Sequence, residues 1–128
     1  MDLSATVTAA TSNDELFSPE NVLNIKENNF WLTTGIFPQS LIISLMAKVK
    51  LSSVKLISAC VKTILVETSP DDAEKFKEAV EMNVDSCDGQ VQITRIPLNG
   101  AICKRIKLTI LSAYDHFAAV YKFIMEQT

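Results

Sequence analysis

The chain has 128 residues, the length of one ordinary domain, so a single domain over residues 1–128 is expected. Hydrophobic residues make up 48% and charged residues 21%, which supplies a core and excludes a disordered chain. The net charge is −3 with the Lys and Arg residues scattered, which argues against a nucleic-acid partner, and no apolar run approaches the roughly 18 residues of a membrane span.

The first residues, MDLSATVTAATSNDELF, lack a basic start and a long apolar run, so they do not read as a signal peptide and a cytoplasmic protein is expected. Ser18, Pro19 and Glu20 read as an N-cap, a first-turn proline and an early carboxylate, which predicts one short helical turn over SPENVL. Phe30 and Trp31 read as core plugs closing the end of a sandwich. Phe37 with Pro38 fits either a surface corner or a packed loop.

SLIISLM, SVKLISA and VKTILVET are short, rich in β-branched and aliphatic residues, and read as separate strands. EKFKEAVEMNVD suits both periods: Phe76, Val80, Met82 and Val84 alternate, while Phe76, Ala79, Val80 and Val84 fit a helix. QVQITRIP alternates with Val91 and Ile93 on one face, and KRIKLTILS with Ile106, Leu108 and Ile110. Turns are predicted at Ser69-Pro70-Asp71-Asp72, Cys87-Asp88-Gly89 and Pro97-Leu98-Asn99-Gly100, the last an Asn-Gly pair of the hairpin kind. Seven or eight short strands with little helix predict an all-β fold, an antiparallel β-sandwich of which the jelly roll is one form.

Signals for catalysis are weak. Asp115 precedes the single histidine, His116, but neighbours in a strand point to opposite faces and no activated serine or cysteine stands near them. Gly35, Gly89 and Gly100 are the only glycines and form no phosphate loop. Cys60, Cys87 and Cys103 are odd in number and form no CxxC, which disfavours a zinc site or a disulfide framework. No enzyme is expected, and the cysteines are expected as buried or half-buried free thiols.

Two stretches, FWLTTGIFPQ (Phe30 to Gln39) and SAYDHFAAVYKF (Ser112 to Phe123), resemble the signature segments of the intraflagellar transport protein 25 family. PENVLNIKENN is similar to that family's turn before its Trp, and CDGQVQITRIPLNGAICKRIKLTI follows its later strands more loosely. The resemblance implies a jelly roll of the galactose-binding, discoidin type, and with it a strand rather than a helix for Phe76 to Val84. It also implies a non-enzymatic adaptor of intraflagellar transport complex B. Such a subunit pairs with a Rab-like small GTPase subunit, intraflagellar transport protein 27, and with other complex B subunits, and acts in the cilium or flagellum. The alternative is a discoidin-like module that binds a carbohydrate or peptide. An exposed aromatic trio around a loop pocket would favour that alternative, and an apolar sheet face without a pocket the adaptor.

The resemblance also implies positions for a calcium site: an Asp-Gly pair before the Trp, a Thr two residues ahead of it, and a late Glu. Asn24 with Ile25, Asn29 and Glu126 stand there in this chain. An amide oxygen at Asn24 lacks the charge and bidentate reach of a carboxylate, and Ile25 would be strained wherever the loop needs a positive φ. Calcium binding is therefore expected to be weak or absent.

Overall fold

A computed structural model describes residues 5–12, 15–23, 29–33, 35–71, 76–86 and 90–127. Within them the alternating segments form β1 (Ala5–Ala10), β2 (Trp31–Leu32), β3 (Gln39–Ala59), β4 (Val61–Ser69), β5 (Lys77–Asn83), β6 (Gln92–Ala113) and β7 (Ala119–Gln127). All pairings are antiparallel, in the order β2-β7-β3-β6-β4-β5 with β1 on β3.

Two strands are long because each serves both layers of a sandwich. The first half of β3 pairs with β1 and with the second half of β6, which β4 and then β5 extend. The second half of β3 pairs with the first half of β6 and with β7, which β2 extends. Leu41, Ile43, Ile106 and Leu108 from the first layer share one buried cluster with Leu56, Ile96 and Phe123 from the second. The product is the expected all-β, antiparallel jelly roll.

The breaks between halves correct the expected strand list. SLIISLM and SVKLISA belong to one strand, bent where Ser44 pairs with Arg105 and Val49 with Cys103, so that residues 45–48 stand opposite Lys104 alone. Pro97 to Gly100 is not a hairpin turn. The strand runs through it as a bulge, with Ser53 opposite Pro97, Leu51 opposite Ala101, and positive φ at Asn99 (54°) and Gly100 (77°). An Asn-Gly pair supplies the same left-handed conformations to a bulge as to a hairpin, so local chemistry does not separate them.

Other readings stand. The ambiguous segment is a strand over Lys77–Asn83, because Val80 pairs with Val66 and Met82 with Ile64, placing both against the core. The helical turn before the Trp is a 3-10 turn, Pro19–Leu23, in which the Asn21 N–H donates to the Ser18 carbonyl at 3.1 Å. Trp31 is fully buried, whereas Phe30 is half-buried. Phe37 packs partly against the core while Pro38 is exposed. The Cys87-Asp88-Gly89 turn and Asp72 lie outside the described residues.

The face assigned to QVQITRIP is reversed. Val91 and Ile93 are exposed, Ile93 at 66%, and Gln92 is buried at 2%. Gln92 shares its parity with Ile96 and Leu98, both buried, so the core dictates the register across Pro97.

Candidate functional site

The turns at one end of the sandwich gather the polar residues singled out in the sequence. The β3–β4 turn at Cys60, the segment before β6 and the β6–β7 turn at Tyr114–Phe117 surround a pocket of about 230 Å³, whose lining includes Cys60, Ser86, Gln90, Gln92, Tyr114 and Asp115. Its walls are tied to one another. The Tyr114 N–H donates to the Cys60 carbonyl at 2.8 Å, its hydroxyl donates to the Val84 carbonyl at 2.7 Å, and the Lys62 ammonium lies 5.9 Å from its ring centre.

Gln92 closes the inner wall. Its Oε1 accepts from the Ser58 hydroxyl at 3.1 Å and the Val61 N–H at 3.0 Å, and its Nε2 donates to the Val61 and Asp85 carbonyls at 2.8 and 3.0 Å. Those four bonds use the full capacity of a side-chain amide. The residue therefore fastens the β3–β4 turn and leaves no group for a ligand.

Asp115 and His116 lie in this turn rather than in a strand, so strand alternation is not what separates them. The Asp115 carboxylate accepts the His116 backbone N–H at 2.7 Å. Both residues are exposed, and the carboxylate caps the corner that leads into β7.

The resemblance to signature segments has a structural basis in the neighbouring strands. The Trp31 Nε1–H donates to the Ser12 carbonyl at 2.9 Å, and Thr33 exchanges bonds with Ala118 through its N–H and its hydroxyl. FWLT and AAVY thus meet across the β2–β7 ladder, where Trp31 pairs with Val120. Gln39, at the end of the first segment, accepts from the Thr11 and Ser12 hydroxyls at 2.6 Å each. Outside this frame Phe30 stacks on Phe17 at 4.8 Å and touches Tyr121 at 5.2 Å, a trio that sequence spacing gave no sign of.

Of the calcium positions, Asn29 and Glu126 fall among the described residues. Asn24 and Ile25 lie outside the described residues. Asn29 is exposed just ahead of β2, and its neighbour Phe30 lies against Tyr121, five residues before Glu126. Five steps of strand span roughly 16 Å. Glu126 is engaged elsewhere: its Oε1 accepts from the Ser53 hydroxyl at 2.8 Å and lies 3.9 Å from the Arg95 Nε. Glu126 therefore stands beside a guanidinium with its Oε1 already accepting a hydrogen bond.

Cys103 is fully buried in β6, and burial pushes its thiol from the ordinary 9.0 up to about 11. Cys60 is a half-buried free thiol at φ 64°, while Cys87 lies outside the described residues. Among the described residues, no helix is long and apolar enough to cross a membrane.

Comparison with known proteins gives a consistent set of likenesses. No protein-family model matches the chain. It is 35% identical to the mouse intraflagellar transport protein 25 homolog over 121 residues, covering 94% of this chain and 85% of the relative. It is 33% identical to the human homolog over 123 residues (95% and 85% covered), and 31% identical to intraflagellar transport protein 25 of Chlamydomonas reinhardtii over 115 residues (89% and 60%). In fold it resembles CBM32-3 from a family 31 glycoside hydrolase of Clostridium perfringens, with a TM-score of 0.84 at 19% identity (97% and 91% covered). It also resembles the family 32 module of NanJ from the same organism in complex with galactose, with a TM-score of 0.79 at 17% identity (94% and 92% covered).

Proposed function

Because the chain belongs to the intraflagellar transport protein 25 family, we propose that it is a non-enzymatic adaptor subunit of intraflagellar transport complex B, acting in the cilium or flagellum. It forms a heterodimer with a Rab-like small GTPase subunit of the intraflagellar transport protein 27 type, docks on other complex B subunits, and supports ciliary cargo transport. The observation that carries this reading is the identity of 31–35% to three such proteins over 89–95% of the chain.

The geometry of the loop end supports it over the carbohydrate or peptide module. A sugar is commonly held by aromatic faces together with free polar groups, but the pocket's aromatic residue, Tyr114, has its hydroxyl bonded to Val84 and Gln92 is fully bonded within the fold. Likeness of fold to modules at 17–19% identity carries no ligand with it. Co-purification of the chain with the co-expressed GTPase subunit tests the adaptor, and retention on a galactose or peptide matrix without such co-purification would replace it by the module.

Calcium belongs to the same proposal. Binding is weak or absent, since Asn24 offers a neutral oxygen and Glu126 is held by Ser53 and Arg95.

A further inference from the structure

The bulge that carries β6 between the layers holds an amide that the rest of the fold does not use. Leu51 pairs with Ala101 and Ser53 with Pro97, so residues 98–100 stand opposite Ser52 alone. Leu98 is buried there, whereas the Asn99 side chain is exposed. Among the described residues, no hydrogen bond holds the Asn99 amide. Asn99 has a φ of 54° and Gly100 of 77°.

The other described asparagines differ in their neighbours and their bonding. The Asn21 Nδ2 donates to the Phe30 carbonyl at 2.9 Å, and Val22 follows it. The Asn83 Oδ1 accepts from the Thr63 hydroxyl at 3.2 Å, and Val84 follows it. Asn29 is exposed but is followed by Phe30. A backbone nitrogen can reach the amide carbon of a preceding asparagine most readily when its own residue carries no Cβ to obstruct the approach. Gly100 meets that condition, and it is the only glycine in the chain that follows an asparagine.

We propose that Asn99 is a site of spontaneous deamidation, a covalent modification whose co-reactant is water. The Gly100 backbone nitrogen gives its proton to solvent and bonds to the Asn99 Cγ. The Cγ–Nδ2 bond breaks, the departing nitrogen takes up a proton and leaves as ammonia, and a succinimide ring remains. Water then opens the ring at one of its two carbonyls. Opening at Cγ restores the ordinary backbone with an aspartate at position 99. Opening at the backbone carbonyl routes the chain through Cγ, an isoaspartyl link with one more backbone atom. Nothing is oxidised or reduced. Both products gain a carboxylate, and the isoaspartyl link lengthens β6 between two fixed pairings, Ser53 with Pro97 and Leu51 with Ala101. Ring closure turns the Asn99–Gly100 peptide out of its left-handed bulge geometry, so local opening of the bulge sets the pace.

The inference is independent of the adaptor reading, and its test needs only the full chain. The folded protein is kept in mildly alkaline buffer made with water enriched in heavy oxygen, alongside a sample unfolded in urea. Circular dichroism verifies that the first sample stays folded, and mass spectrometry of its peptides follows the conversion of each asparagine. In the folded chain the Asn99 peptide is expected to take up heavy oxygen at least about tenfold faster than peptides holding Asn21, Asn29 or Asn83, with isoaspartate among its products. An intact Asn99 in the folded chain, while the urea sample converts, would show that the bulge protects it and would overturn the proposal. Conversion of another of these asparagines at a similar rate, or an Asn99 product without isoaspartate, would equally overturn it.

Discussion

At the scale of single residues, the fold depends on buried polar groups that composition does not reveal. Replacing Gln92 by Leu keeps the volume roughly but leaves the Val61 N–H and carbonyl and the Ser58 hydroxyl without their partner. Unmet buried groups cost about 1–3 kcal/mol each, so urea unfolding should show a loss of at least about 2 kcal/mol. Cys103 gives a pH signature. Its folded thiol titrates at about 11 against an ordinary 9.0, so between those values the unfolded chain releases a proton that the folded chain retains, and stability falls as pH rises. The loss amounts to about 2–3 kcal/mol, fully absent below pH 9, and Cys103→Ala should flatten the pH dependence of the unfolding midpoint across that window. For calcium, titration calorimetry of the metal-free chain should give no saturable heat at micromolar calcium. A micromolar affinity that Glu126→Gln removes would contradict the reading of Glu126 as a structural group.

At the scale of elements, bulges set the shape. The bend of β6 at Asn99–Gly100 hands the strand from one layer to the other, and Gly100 sits at φ 77°. A side chain there pushes its Cβ toward the following carbonyl, so Gly100→Ala should cost about 1–2 kcal/mol by urea unfolding, with the sandwich retained by circular dichroism. The same bulge marks the limit of what the chain discloses by pattern. KRIKLTILS was legible because its alternation runs along one layer, whereas the Lys77–Asn83 segment suited both periods and only the family resemblance made it a strand. QVQITRIP was misread since Val91 and Ile93 are apolar and exposed while Gln92 is polar and buried, and the parity shared with Ile96 and Leu98 is hidden by the intervening Pro97. Tertiary pairing, not local propensity, decides such positions.

At the scale of the whole molecule, the two layers meet around one core and present two different surfaces. The loop end is tied together by Tyr114 and Gln92, and the outer face of the second layer carries Ile57, Ile93 and Ile124. The fold class and the family were legible: Trp31 with Thr33 and the AAVY segment form a single ladder, so the two signature stretches mark one structural unit.

The measurement that bears most directly on the central claim is the mass of the co-expressed chain and Rab-like GTPase subunit by light scattering after gel filtration. A single 1:1 heterodimer peak, held through dilution, is the expected result. Separate elution of the two proteins, each folded, would contradict the adaptor assignment.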